Sequence, residues 1–270
     1  EDVFMKPDRQ NVFGQGSSGN YEPQSSSSWG PAIAGQTVKN WNNEDEKLTF
    51  YDNVKNFFDT GVNLTENVSF AQQFGKTAVY ASFTRLDDHS KIPGAEYSRT
   101  NMMLRASSTF GKDDRWSLDA KVQYILSDAK NRPLSGANDN NYFLTMFSMP
   151  STMDITRFQQ AVDPTTGKMF WWQKGSGLNP YWGADYNTNQ DVRNRFLLNG
   201  SVKYKFTDWL NAEIKAGSDM YYTETESKLY AGSPLSTNGR YSTGEQKFFE
   251  NNFSFLITAQ KDRFLGDWGG

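Results

Sequence analysis

Cysteine is absent from the 270 residues, and histidine occurs once, as His89. The lack of cysteine excludes a disulfide framework, a thiolate metal site and a cysteine nucleophile. A single histidine excludes zinc sites that need two histidines, and it removes most serine–histidine catalytic arrangements. Cysteine-based and most histidine-based chemistry is therefore excluded, and we expect a protein that is not an enzyme and that uses neither a metal nor a cofactor.

Long apolar runs and an excess of one charge are also missing. No stretch approaches the roughly 18 apolar residues that a membrane-spanning helix needs. The 28 basic and 31 acidic side chains give a formal net charge of −3, which is too even for a nucleic-acid-binding protein. No basic segment followed by an apolar one opens the chain, so we expect any export signal to lie outside it.

Large aromatic side chains are plentiful although the composition is polar. Phe, Tyr and Trp together make up 15% of the chain, whereas the mean hydropathy is −0.74. Disordered chains are poor in aromatic residues, so this combination indicates a folded protein.

Alternation of apolar and polar residues with period two is the strongest pattern, and it predicts β-strands. The clearest examples are Leu118–Leu126, Phe196–Phe206 and the segment from Leu210 to Tyr222. Less regular examples are 62–74, 76–88, 97–110 and 247–262. Strands of about 13 residues exceed the usual length of about 5–6 in soluble sheets, and they suit tilted strands that cross a bilayer.

The connections between these strands alternate between short and long. In chain order they are Gly75–Lys76, 87–96, Gly111–Arg115, 127–193, Thr207–Asp208 and 223–246. Outer-membrane barrels have short periplasmic turns and long extracellular loops. We therefore predict an all-β fold, namely an antiparallel transmembrane β-barrel segment of about seven strands with long extracellular loops.

Aromatic residues recur beside the short turns, at the height of the interfacial girdle of a membrane barrel. The predicted girdle consists of Phe74, Phe110, Trp116, Phe206, Trp209, Phe264 and Trp268. A soluble β-sandwich has no reason to repeat such rings at every turn of one end.

The first 61 residues differ from the rest because Gly, Ser, Asn and Gln dominate there. We predict an extracellular loop region at 1–61 with a short helix within Leu48–Asp59, and a partial barrel wall at 62–270. The long extracellular insert at 127–193 should contain another short helix, Asn141–Met149, which Pro150 ends. Seven strands cannot close a barrel with an even strand number, so we expect a piece of a larger protein.

An ordered set of motifs resembles a known family. It runs through Phe13-Gly14-Gln15-Gly16, Ser28-Trp29-Gly30-Pro31, Asn56–Gly61 before the first strand, Lys91–Gly94 and the strand with Arg99. This succession resembles the early barrel region of the SusC/RagA-type TonB-dependent transporters of Gram-negative outer membranes. Its most specific residues are Phe13, Gly14, Gly16, Trp29, Gly30 and Pro31. Ala32–Ala34 departs from the Met-Asp that the family usually has there.

The resemblance implies a multi-pass barrel of about 22 strands around an N-terminal plug that contacts the TonB complex. It also implies a SusD-like surface lipoprotein as partner, outer-membrane lipids around the wall, and import of glycan oligosaccharides or of peptides. This chain offers no candidate plug and lacks the C-terminal barrel strands of the family. We therefore expect one stretch of wall and loops of a nutrient importer.

Aromatic residues in the long insert allow two interpretations. Trp171, Trp172, Tyr181 and Trp182 can stack on a sugar or another ligand, or they can pack the insert's own core or contact a partner; the sequence slightly favours packing. The same rings would serve a soluble carbohydrate-binding β-sandwich, which is the alternative function. A glycosidase would need two carboxylates about 5 to 10 Å apart, and no pair stands out.

Overall fold

The computed structural model describes residues 10–134, 141–173 and 175–261. Its elements in chain order are β1 (Gly16–Ser17), β2 (Asn20–Tyr21), β3 (Thr37–Lys39), β4 (Asp45–Lys47), α1 (Asn53–Phe57), β5 (Val62–Phe74), β6 (Thr77–His89), β7 (Glu96–Phe110), β8 (Trp116–Lys130), α2 (Tyr142–Ser148), α3 (Pro180–Asp185), β9 (Asn189–Lys205), β10 (Leu210–Leu229) and β11 (Arg240–Ala259). Short 3₁₀ turns lie at Lys112–Asp114 and Ile155–Phe158. No helix in these described ranges is long and apolar enough to cross a membrane.

The seven long strands β5 to β11 form one antiparallel sheet, and each pairs with its neighbours along the chain. This arrangement confirms the predicted all-β fold and the antiparallel order. The short connections also lie where the sequence placed them, and Gly75 adopts a φ of +58° in the tightest turn, a conformation that glycine reaches without strain. Within the described residues, β5 and β11 each have one edge that pairs with no other strand.

The later strands extend farther toward the long loops than the alternation indicated. β9 begins at Asn189 instead of Phe196, β10 continues to Leu229, and β11 begins at Arg240 instead of residue 247. The added residues pair in continuous register but are polar on both faces, as in 223–228. Alternation requires an apolar environment on one face, so it does not mark these extensions.

A compact cap lies at the long-loop end of the sheet and consists of the described residues of 10–61 and 131–188. Its core joins α1 from the first stretch to α2, α3 and the 3₁₀ turn of the insert. The buried members of this core are Phe57, Tyr142, Met146, Met149, Met153, Ile155, Phe158, Ala161, Trp171, Trp172, Leu178 and Trp182. The described residues of 10–61 and of the insert, which were predicted as separate regions, therefore share one core.

Helix bounds in the cap follow local capping. The helix expected within Leu48–Asp59 is limited to α1, where the Asp52 side chain accepts a hydrogen bond from the Lys55 backbone N–H. The helix expected at Asn141–Met149 is α2, with Asn141 as its N-cap. Pro180 begins α3 directly after the N-cap residue Asn179, and the periodicity gave no sign of this short helix.

Candidate functional site

One face of the sheet, called here the apolar face, carries large apolar side chains along the half nearest the short turns. Paired residues lie on the same face, so the register traces rows across the strands. One row crosses the whole sheet, and its members are Val68, Phe83, Met102, Tyr124, Phe196, Met220 and Phe249. Side chains of this face are open to the surroundings, with Val68 72% and Phe253 78% exposed. Such an extensive exposed apolar surface marks contact with a membrane or another protein.

Aromatic rows bound the apolar face at both ends. Beside the short turns, the ring centroids of Phe110 and Trp116 are 6.2 Å apart, and those of Trp116 and Tyr204 are 4.6 Å apart. At the other end of the apolar face, the ring centroids of Tyr124 and Phe196 are 4.8 Å apart. At about 3.3 Å per residue and a tilt near 40°, Trp116 to Tyr124 spans roughly 20 Å of barrel height. This span is close to the ~25 Å apolar band of outer-membrane barrels.

The girdle residues that were predicted from the sequence, and that the structure describes, lie on the rim beside the short turns. Phe74, Phe110, Trp116 and Phe206 are exposed, and Trp209 has the Lys261 ammonium 5.5 Å from its ring centroid. Phe264 and Trp268 lie outside the described residues. Tyr204 was not predicted as a girdle residue, nor was the rim at the other end that contains Tyr124 and Phe196. Both follow from the same alternation.

The opposite face, called here the polar face, carries charged and amide side chains that bond across the strands. Arg105 Nε donates to Asp119 Oδ2 over 2.9 Å, and Arg195 Nε donates to Asp219 Oδ1 over 2.8 Å. Gln123 donates its side-chain amide to an acceptor on β7 over 2.8 Å. A sheet with one apolar face and one polar face suits a wall between lipid and an aqueous lumen.

The motif residues that carry the family resemblance meet in one loop of the cap. The Gly14 N–H donates to the Pro31 carbonyl oxygen over 2.8 Å, and the Gly30 N–H donates to the Gly14 carbonyl oxygen over 2.9 Å. The Trp29 N–H donates to the Gly16 carbonyl oxygen over 3.0 Å. These bonds hold the two motif strings side by side.

Two of the motif glycines are required by close backbone contact. A Cβ added to Gly30 would lie 2.2 Å from the Gln15 carbonyl oxygen, and one added to Gly16 would lie 1.9 Å from the Asn20 carbonyl oxygen. Gly16 also has a φ of +126°, which L side chains rarely adopt. The glycines therefore maintain the conformation of the loop.

The same loop exposes a pair of rings and attaches to the insert. Phe13 and Trp29 have ring centroids 6.0 Å apart, and Trp29 is 63% exposed. The buried Gln15 donates its backbone N–H to Thr152 Oγ1 over 3.1 Å. The motif therefore presents an aromatic pair on a loop that is fixed to the cap core.

Three of the four aromatic residues considered for ligand stacking are buried in the cap. Trp171, Trp172 and Trp182 are 6%, 1% and 0% exposed. Trp171 meets the Phe158 ring edge-on with centroids 4.8 Å apart. Their faces are thus covered by other side chains, and the packing interpretation describes them. Tyr181 is half-buried against the same core.

The phenol of Tyr142 inside the cap stays neutral. Burial raises the pKa of Tyr142 to about 12, because a phenolate would lose its hydration there.

His89 is exposed and lies outside the cap core, with its Nδ1 atom 3.7 Å from Glu96 Oε1. Across the residues that the structure describes, no group of three or more His, Asp or Glu side chains is placed to hold a metal ion.

Asn53 links the two halves of the cap and supplies a first prediction. Its side-chain amide donates to the Met153 carbonyl oxygen over 2.7 Å and accepts from the Ile155 N–H over 3.0 Å. Asn53→Ala should lower the stability of the cap by about 1–3 kcal/mol, since both buried backbone groups lose their partner. Faster cleavage of the cap in limited proteolysis would show this, with the exposed Asn56→Ala as control. Equal cleavage of the two variants would contradict it.

Comparison with solved structures finds a similar fold in other proteins. No protein-family model matches the sequence, and no curated protein matches it. A chain of the RagAB peptide transporter has a TM-score of 0.63 and 17% identity, covering 79% of this chain and 24% of that chain. The covered part of this chain therefore shares the fold of part of a RagAB chain.

Two further RagAB structures give the same result. The open-open state of the RagAB peptide importer has a TM-score of 0.57, 19% identity and coverage of 78% of this chain and 23% of that chain. The closed-closed state has a TM-score of 0.52, 18% identity and coverage of 76% and 23%. The chain thus spans about a quarter of the length of these RagAB chains.

Proposed function

We propose that this chain forms part of the barrel wall and the extracellular cap of a TonB-dependent outer-membrane importer of the SusC/RagA type. The observation that carries the proposal is the exposed apolar face between two aromatic rims, backed by a polar face. A membrane barrel needs this division, because one face meets lipid and the other meets water and the plug. The shared fold with RagAB chains supports the same assignment.

The unpaired edges of β5 and β11 support a larger barrel. An exposed strand edge carries free N–H and C=O groups and invites pairing with other strands. In the complete protein, further strands would pair with these edges and close the wall. A soluble β-sandwich is less well supported, since the described residues contain no second sheet packed on the apolar face.

The substrate class we propose is peptides, ahead of the glycan oligosaccharides that the sequence analysis placed first. Sugar stacking needs exposed ring faces, and Trp171, Trp172 and Trp182 are buried. The similar structures are named as peptide importers.

Mass spectrometry of ligands released from the full-length importer, purified from its native membrane, tests the choice of peptides as substrate. Peptides in the released fraction would support it, and oligosaccharides alone would overturn it.

A SusD-like surface lipoprotein is the proposed partner, and the cap offers it an aromatic surface. Leu144 and Phe147 on α2 are 49% and 52% exposed, and Trp29 is 63% exposed. Aromatic residues and leucine that remain open on an otherwise packed domain are typical of protein contact surfaces.

Membrane extraction tests the barrel itself. We expect the full-length protein to stay in the outer-membrane fraction after an alkaline wash, to need detergent for release, and to run faster on a denaturing gel when unboiled. These properties follow from an apolar face that is stable only against lipid or detergent. A species that is soluble in plain buffer and insensitive to boiling would contradict the proposal.

A further inference from the structure

Most arginines in the described chain have a carboxylate partner, and three on the polar face do not. The paired ones are Arg85, Arg105, Arg115, Arg132, Arg157 and Arg195. Within the described ranges, Arg99 and Arg193 have no carboxylate at ion-pair distance, and neither does Arg240 at the start of the edge strand β11. A guanidinium without a counter-charge on an inner wall is available to an anionic ligand.

Arg99 and Arg193 lie close together on the polar face. Arg99 on β7 and Arg193 on β9 both pair in register with Ser127 of the intervening strand β8. Neighbouring strands are about 4.8 Å apart, so the two Cα atoms are about 10 Å apart. On β7, Arg99 is three residues nearer the long loops than Met102, which belongs to the row that crosses the whole sheet. It therefore lies on the cap side of the apolar band. The pair therefore occupies the wall directly below the cap.

Arg193 is held in place before any ligand arrives. Its Nε donates to Thr223 Oγ1 over 2.8 Å, and its guanidinium lies 4.7 Å from the Tyr221 ring centroid. Tyr221 in turn stacks on Phe248, with centroids 4.8 Å apart and ring planes 12° apart. Only Nε is used by these contacts, so the terminal amino groups remain free for a carboxylate, and the fixed geometry lowers the entropy cost of binding.

Acidic side chains near the pair are already engaged by other residues. Asp219 pairs with Arg195, and Asp191 pairs with Arg132 through two hydrogen bonds. Asp88 accepts a hydrogen bond from the Asn63 side-chain amide over 3.2 Å and keeps its charge. Two of these three carboxylates are thus neutralised by other arginines, and Arg99 and Arg193 have no ion-pair partner among the described residues, with tyrosine and phenylalanine rings beside Arg193.

We propose that Arg99 and Arg193 together bind a carboxylate group at the upper lumenal wall. The chemistry fits the C-terminus or an acidic side chain of an incoming peptide, and this source rests on the proposed function. A carboxylate of the protein's own interior plug shares the chemistry and is the other source. Paired guanidiniums recognise carboxylates through parallel N–H···O bonds, which a neutral sugar cannot accept in the same way.

The test uses full-length importer in detergent and two synthetic peptides. One peptide has a free C-terminus and one Glu; the other is identical except for a C-terminal amide and Gln in place of Glu. We expect the unsubstituted importer to bind the acidic peptide about tenfold or more tightly than the neutral one. The double variant R99Q/R193Q should lose this preference, and Arg193→Lys should lose part of it. Lys121→Gln, lower on the same face, should retain it.

Thermal unfolding without peptide distinguishes the two sources. Loss of the peptide preference in R99Q/R193Q with unchanged unfolding temperature assigns the carboxylate to the ligand. Unchanged peptide binding with a lower unfolding temperature assigns it to the protein's own interior and overturns the peptide source. If neither quantity changes relative to Lys121→Gln, the proposal is wrong. Failure of the unsubstituted importer to bind either peptide would refute peptide import, while the unfolding comparison would still decide the role of the arginines.

Discussion

Leu198→Arg is expected to sharply reduce the amount of folded, heat-modifiable protein in the outer membrane. Leu198 lies on the apolar face of β9, opposite Val122 of β8 and within the band between the aromatic rims. A lipid-facing Arg costs about 2–4 kcal/mol of folding free energy at the middle of a membrane barrel's apolar band and less toward its rims, and Leu198 lies between the middle and the rim at Phe196. The measurement is the urea concentration at which the unboiled, fast-migrating gel band disappears.

The adjacent Leu197 provides a matched control of the same residue type. Leu197 belongs to the polar face and pairs with Asp219 of β10, so an arginine there meets a carboxylate and water. Leu197→Arg should leave the urea midpoint close to that of the unsubstituted protein. If both variants lost stability equally, the assignment of the two faces to lipid and lumen would be wrong.

Trp182→Ala is expected to unfold the cap while the barrel wall remains intact. The side chain is 0% exposed and stacks on Tyr186 with ring centroids 4.8 Å apart. Truncating a buried Trp to Ala typically costs about 3–5 kcal/mol, because contacts are lost and a cavity forms. Limited proteolysis should therefore cleave within the insert, and the heat-modifiable gel shift should persist.

A matched control again comes from another tryptophan. Trp29 is 63% exposed, so Trp29→Ala should leave cap proteolysis near the rate of the unsubstituted protein. Trp182→Phe should lie between the two, since it keeps most of the packing and removes an indole N–H that has no partner. A Trp182→Ala protein with normal proteolysis but weaker ligand binding would restore the ligand-stacking interpretation.

The wall of this protein could be predicted from its sequence because its pattern is local. β5 has the predicted bounds of 62–74, and the short turn at Gly75–Lys76 lies where glycine interrupts the alternation. An apolar environment on one face and a polar one on the other impose period two on the strands within the apolar band. Beyond the band, as in 223–228, the residues of both faces are polar and the pattern disappears, so the strand ends were predicted too early.

The fold of the cap could not be predicted in the same way, because it depends on contacts between residues that are far apart in the sequence. Asn53 binds the backbone at Met153 and Ile155, and Gln15 binds Thr152. No short stretch of the sequence contains both partners of any of these hydrogen bonds. For the Trp-rich segment the sequence therefore favoured a core over a ligand surface only slightly, and the burial of Trp172 decided for the core.

The sequence by itself determined the all-β class, the strand order, the turn positions and the division into an apolar and a polar face. The faces follow from side-chain periodicity, because successive residues of a strand point to opposite sides, and the strand order follows from the short turns that join neighbouring strands. The tertiary structure decided that residues 10–61 and the insert share one core, that Trp171, Trp172 and Trp182 are buried, and that Arg99 and Arg193 lie on either side of Ser127. Contacts between loops and the exact register of the strands set these features, and neither is encoded in any local pattern.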